Sequence, residues 1–300
     1  MKLNNELYIL DGGLSNAIKR LGGNINDELW TAQLIDKNSD LIVKAHLNYL
    51  NAGADIIITS SYQASIDGFT SKGYTLNEAE ELIIKTTNLA LKAKKEYQKG
   101  SSKEVYIAGS IGPYAAYLAD GSEYTGQYSV DKSILYEFHQ KRIKLLDKTP
   151  IDLFAVETIP SLEEVEVLNE ILHDTIHKAW VSVVCKNGKE LSDGTSIKEV
   201  AQLISSNTNI LGIGINCTHP KYIKSLISEI LNSDYNNNIV IYPNAGMVYD
   251  ADTKNWIGTS KPEEFIHLAK KWKKLGVKII GGCCEIGEDH IKKLNDELRN

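Results

Sequence analysis

Three cysteines stand where soft metal ligands would be useful. Cys217 follows the apolar run 210–216, and Cys283 with Cys284 follows the run 277–282. Thiolates favour Zn2+, and three of them leave one of its four tetrahedral positions open, which separates a catalytic zinc site from a closed structural one. Strand side chains alternate in direction, so Cys283 and Cys284 can share an ion only if the chain bends there, as Gly281 and Gly282 permit. In a reducing compartment all four cysteines are expected as free thiols or metal ligands. Cys185 reads as an ordinary buried thiol, with closure of a four-thiolate structural site as the alternative.

Two carboxylates also fall at the ends of apolar runs. Asp11 precedes Gly12 and Gly13, and Glu157 ends the run 153–157. An ionised carboxylate is costly in such a place unless it meets a cation. Taken alone, Asp11 also suits a turn or cap ahead of the two glycines. None of the seven histidines has a catalytic context.

Those residues need elements that bring distant strand ends together. Short apolar runs at 7–11, 55–59, 105–110, 153–157, 180–184, 210–216, 239–242 and 277–282 read as buried parallel strands. Helical periodicity is clearest at 40–50, 77–99, 132–147, 162–172, 220–231, 262–275 and 289–298. Ser161 with Glu164 three residues on predicts a capping box. Eight βα units predict an α/β fold, a single-domain (β/α)8 TIM barrel over residues 1–300. A doubly wound sheet would usually carry a Gly-x-Gly-x-x-Gly fingerprint, and none occurs. Functional residues of such barrels collect where strands end, so the motifs above should share one mouth. The longest connection, 111–130, carries four tyrosines (114, 117, 124 and 128) and is a candidate lid or substrate wall.

With 42% hydrophobic and 24% charged residues, the chain has the composition of a globular protein with a large core. A net charge of -6 offers no field for phosphate backbones, so nucleic acid is not an expected partner. No stretch has the length of a signal peptide or membrane span, which predicts a cytoplasmic protein with small-molecule substrates and no membrane partner.

In motif order the chain resembles the zinc-dependent homocysteine S-methyltransferases over nearly its whole length. The marks are Asp11-Gly12-Gly13-Leu14, Thr59-Ser60-Ser61-Tyr62-Gln63, residues 108–114 with 118–124, Glu157-Thr158, residues 191–194, Gly214-Ile215-Asn216-Cys217, residues 242–246 and Gly281-Gly282-Cys283-Cys284. The resemblance implies Zn2+ held by Cys217, Cys283 and Cys284, with the homocysteine thiolate as fourth ligand. It implies that Asp11 and Glu157 hold the homocysteine amino group and that backbone N–H groups around Gly12 and Gly13 receive its carboxylate. Asn216 and Asn244 complete the expected substrate-binding set. The third loop looks most like the branch whose donor is the sulfonium S-methylmethionine or S-adenosylmethionine, and methionine is the implied product. Other readings are a betaine-using or selenol-methylating relative, a noncatalytic structural-zinc barrel closed by Cys185, and a metal-dependent hydrolase, which lacks its ligand set here.

The chain departs from the family pattern twice. Glu285-Ile286-Gly287 follows Cys284 where Arg-Thr is common, and Met247 stands where an acidic residue is common. A charge pair between the seventh and eighth loops is therefore expected to be missing.

Overall fold

The computed structural model describes residues 6–24, 32–126, 128–250, 255–257 and 261–299. Its strands are β1 (Tyr8–Ile9), β2 (Ile56–Ile58), β3 (Tyr106–Ile111), β4 (Leu153–Ile159), β5 (Ala179–Val183), β6 (Ile210–Asn216), β7 (Asn238–Tyr242), a hairpin of β8 (Val248–Asp250) and β9 (Asn255–Ile257), and β10 (Ile279–Ile280). Eight of them form one parallel sheet in the order β1-β10-β7-β6-β5-β4-β3-β2. A parallel bridge from Leu10 to Ile56 joins the first strand to the second and completes the ring. This is the (β/α)8 barrel that the alternation of apolar runs and helical faces predicts.

Period-two alternation builds two cores from the same strands. One face of each strand points into the barrel, where Tyr8, Leu10, Ile56, Ala108, Leu153, Ala155, Trp180, Val240, Tyr242 and Ile279 form a cluster of their own. The other face packs under the helices, as Ile57, Ile107, Phe154, Val181, Ile213 and Ile241 do. Inward positions become polar toward the strand ends. There Trp180 donates through Nε1 to the Tyr242 hydroxyl (3.1 Å), which lies 2.8 Å from the Ser182 hydroxyl. Gly214 is required opposite them, because a Cβ at that position would sit 2.8 Å from the Cβ of Ser182 and closer still to its hydroxyl. Gly214→Ala should therefore destabilise the protein by about 1–3 kcal/mol through overpacking. A urea unfolding midpoint equal to that of the wild type would contradict this.

Several helices lie where the periodicity puts them, among them Leu162–Leu172 and Pro220–Leu231. Ile197–Ile204 was not among the expected helices: it has only eight residues, too few for a clear apolar period. The capping box at Ser161 forms by half. Ser161 accepts from the Glu164 N–H at 3.4 Å, but the Glu164 carboxylate turns inward to His139, Tyr128 and the Tyr114 N–H. The Glu164 side chain is fully buried there, as is His139, and a carboxylate gains more from donors in such a place than at an exposed helix start. Among the described residues no helix is long and apolar enough to cross a membrane.

Candidate active site

At the C-terminal ends of the strands, one cavity is lined by Asp11, Gly12, Gly13, Glu157, Cys217, Cys283 and Cys284 together with residues of the second and third loops. Short backbone bonds fix its rim. The Gly282 N–H donates to the Asp11 carbonyl (3.0 Å), the Cys283 N–H to Pro243 (2.8 Å) and the Ala245 N–H to Cys284 (3.0 Å). The first, seventh and eighth loops are thus one assembly. Gly13 is needed in it, since a Cβ there would approach the Cys283 carbonyl oxygen to 2.7 Å. Thr158, Cys217 and Glu285 have φ values of 64°, 45° and 62°. Such left-handed backbone in non-glycine residues is costly and often marks functional sites.

The sulfurs of Cys217, Cys283 and Cys284 all lie within 4.8 Å of one another. Cys283 and Cys284 are 3.9 Å apart, because after β10 the chain leaves the ladder and turns, so the two side chains no longer alternate. Cys217 and Cys283, 66 residues apart in sequence, stand with their Cα atoms 5.5 Å apart. Cys185 stays outside the cluster. It is buried, its N–H donates to Thr218 Oγ1 (2.9 Å), and burial pushes its thiol pKa far up, so the four-thiolate alternative has no geometric support. Burial also raises the Cys284 thiol to about 11, partly offset by the Tyr124 hydroxyl that reaches it. Three soft donors on converging loops suit a metal ion that compensates their charge.

Across the cavity, Asp11 accepts the Ile58 N–H through Oδ2 at 2.8 Å. Burial holds its carboxyl well above the usual range, the Ile58 N–H pulls against that, and the neighbouring Glu157 charge adds to it. Glu157 accepts a hydrogen bond from the Ser110 hydroxyl. Burial raises it to about 7, opposed by the hydroxyls of Ser110 and Tyr242. Among the described residues, no lysine, arginine or histidine lines this cavity. Buried carboxyls without a protein cation are poised for a cationic ligand.

The two asparagines do not line the cavity. Asn216 is fully buried, and its amide is spent on Thr158: Oδ1 accepts the Thr158 N–H (2.8 Å) and Nδ2 donates to Thr158 Oγ1 (2.7 Å). It holds the left-handed residue beside Glu157. Asn244 accepts the Gly246 N–H (3.0 Å) and donates to the Cys217 carbonyl (3.5 Å), so it ties the seventh loop to the sixth. The Gly13 N–H is likewise committed, to the Ile286 carbonyl at 2.9 Å. An incoming carboxylate therefore needs another donor than Gly13. The Ser60 hydroxyl lines the cavity, is buried, and has no hydrogen-bond partner among the described residues.

The third loop forms a cavity wall from two short helices, Tyr114–Leu118 and Ser122–Thr125, of which Glu123 and Tyr124 face the cavity. Tyr114 and Tyr117 instead pack on Phe138, with Tyr128 against Tyr114. Below them Arg142 donates to the Gly112 carbonyl and to His139 Nδ1. Arginine can only donate, so the His139 proton sits on Nε2 and is given to Glu164 (2.6 Å). This buried set anchors the wall. Ser60 and Glu123 were visible only as members of motifs, since burial without a partner has no local sequence signal.

Glu285 turns toward the first loop. With the Asn16 amide oriented to satisfy both groups, its nitrogen meets Glu285 Oε1 at 3.2 Å and its oxygen accepts the Glu285 N–H at 2.8 Å. The acidic residue beside Cys284 thus has a neutral partner in the helix Leu14–Arg20.

The chain is similar to curated proteins along almost its entire length. It is 39% identical to homocysteine S-methyltransferase 3 of Arabidopsis thaliana, over 96% of this chain and 90% of the relative. It is 38% identical to homocysteine S-methyltransferase YbgG of Bacillus subtilis, over 96% and 93%. Among solved structures it matches the homocysteine methyltransferase MmuM of Escherichia coli at 32% identity. The TM-score is 0.86 for the metallated form (97% of this chain, 96% of that one) and 0.88 for the oxidised form (99% and 97%). The family model for homocysteine S-methyltransferase matches residues 8–298. On that match, which spans all eight barrel strands and every cavity-lining residue discussed above, the chain belongs to the homocysteine S-methyltransferase family.

Proposed function

We propose that the protein methylates the sulfur of homocysteine with a sulfonium donor, S-methylmethionine or S-adenosylmethionine, and that Cys217, Cys283 and Cys284, in their thiolate state, hold a zinc ion for this reaction. The observation that carries the reading is the convergence of three sulfurs and two cation-seeking carboxyls on one cavity. Bound zinc would supply positive charge that lowers the pKa of a thiol and so favours the nucleophilic thiolate near neutral pH.

The chain's own groups do the positioning. Asp11 and Glu157 receive the homocysteine ammonium, which repays the cost of burying their charges. The Ser60 hydroxyl and the first-loop backbone at Gly12 are placed to receive its carboxylate. Tyr242 and Ser110 fix the Glu157 carboxylate from below, and the Asn216 clamp on Thr158 keeps the loop in shape. In the transfer, the homocysteine sulfur forms a new bond to the methyl carbon as the donor's S–CH3 bond breaks. The electron pair of that bond returns to the donor sulfur, which leaves as a neutral thioether. The proton of the acceptor thiol has already been released on binding. Holding sulfur, methyl and leaving sulfur in line lowers the entropic part of the barrier.

The test is methionine formation by the reduced, zinc-loaded protein given homocysteine with S-methylmethionine, S-adenosylmethionine and betaine in parallel. Turnover with a sulfonium and none with betaine is expected. No methionine from any donor, with zinc bound, would sink the proposal.

A further inference from the structure

We infer that Glu123 is a specificity-determining residue that receives the positive charge of the methyl donor. The inference rests on the sulfonium reading above and names the group that would recognise such a donor. Glu123 is only 6% exposed, yet it lines the cavity, and its Oε2 has no hydrogen-bond partner among the described residues. It sits on the Ser122–Thr125 turn, held between Gly121 and Gly126 at φ 84° and 66° and by the Ser122 N–H donating to Asp120 Oδ1 (2.9 Å). The next residue, Tyr124, reaches the Cys284 thiol. The carboxylate therefore belongs to the wall that closes on the sulfur cluster.

A charge count separates its role from that of the other carboxylates. Homocysteine brings one ammonium, and Asp11 with Glu157 already form a pair to receive it. Glu123 is a third buried carboxyl in a cavity whose described lining has no basic side chain. Burying its charged form without a cation costs free energy, which a second positive charge can return. A sulfonium carries that charge, and its demethylated product does not. The same difference would let the product leave.

The kinetic signature follows from when the charge disappears. The sulfonium is fully cationic in the ground state and is being neutralised in the transition state, so attraction to Glu123 is spent mainly on binding. Loss of the carboxylate should therefore fall on KM for the donor rather than on kcat.

The experiment measures equilibrium binding to the zinc-loaded protein without homocysteine, so that nothing turns over. The probes are S-methylmethionine against methionine and S-adenosylmethionine against S-adenosylhomocysteine. The wild type is expected to prefer the sulfonium of its donor pair over the neutral thioether by about ten- to a hundredfold, the range of a charge-assisted contact. In Glu123→Gln that ratio should fall to near one, with zinc content and homocysteine affinity retained. Glu123→Asp should restore part of it. A merely structural role would weaken both members of a pair equally and leave the ratio intact. A sulfonium preference that survives in Glu123→Gln overturns the inference alone. Absence of any preference in the wild type overturns the donor reading and the inference with it.

Discussion

Replacing Cys217 with serine is expected to strip the protein of its metal and to lower methyl transfer by about a thousandfold or more, because a serine hydroxyl does not ionise near neutral pH and is a hard donor for zinc. The backbone should tolerate the change. The Cys217 N–H is held by the Tyr242 carbonyl (3.4 Å), and its carbonyl is met by Asn244, and neither contact involves the sulfur. The loss would then report ligand chemistry rather than misfolding. Cys185→Ser is the matched control: that thiol is buried on the neighbouring strand end but lies outside the sulfur cluster, so metal and activity should stay. The measurement is zinc per chain by elemental analysis after dialysis against a mild chelator, with methionine formation in parallel. A Cys217→Ser protein with a full zinc complement would show that the three sulfurs are not the site.

Glu157→Gln should weaken homocysteine binding by about a hundredfold while making the ligand-free protein more stable at pH 8. The first effect is loss of the charge that meets the ammonium. The second follows from the direction of the pKa shift. Burial raises the Glu157 carboxyl from its ordinary 4.5 to about 7, so the folded protein binds this proton more tightly than the unfolded chain does. Ionisation then costs folding stability as pH rises from about 4.5 through 7, and the full cost is present above 7. The shift of about 2.5 units caps that cost at about 3 kcal/mol. Glutamine keeps an acceptor for the Ser110 hydroxyl and carries no charge, so it escapes the penalty. Near pH 4 the two proteins should therefore differ little from this source. The same sign governs binding by the wild type, whose affinity for homocysteine should decline as pH falls through 7 and the carboxylate is protonated. Urea unfolding at pH 8 and pH 5, and calorimetric titration with homocysteine across that range, check both parts. A variant that binds homocysteine within threefold of the wild type would remove Glu157 from the ammonium site.

Barrel architecture and most residues of the candidate cavity were legible in the sequence because they rest on local rules. Short continuous apolar runs specify strands buried on both faces, and 3.6-residue periods specify the covering helices. The bounds of Ile210–Asn216, Leu162–Leu172 and Pro220–Leu231 follow directly from those patterns. Once eight such units exist, strand ends must share a mouth, and Asp11, Glu157 and the three cysteines come with them. At the last strand the local rule overreached. The run 277–282 reads as six strand residues, but only Ile279–Ile280 are strand: Gly281 and Gly282 serve close packing, since a Cβ there would meet the Asp11 carbonyl oxygen at 2.7 Å or the Ile286 side chain, and the chain turns at Cys284 and Glu285.

Only the tertiary structure decided which partner each polar group takes. Asn216 was expected in the substrate-binding set, yet the closed ring brings Thr158, 58 residues away, within 2.8 Å of it. Glu164 satisfied a capping pattern, but the Tyr114 N–H of the third loop and His139 of the helix Lys132–Leu146 hold its carboxylate instead. Gly13 lost its free N–H to Ile286, and Glu123, seen in the sequence only as part of a motif, became a buried carboxyl lining the cavity. Periodicity fixes the direction of a side chain relative to its own element, and that suffices to sort core from surface. The choice of a hydrogen-bond partner depends on distances of a few tenths of an ångström between elements far apart in sequence, and those distances exist only after the barrel closes.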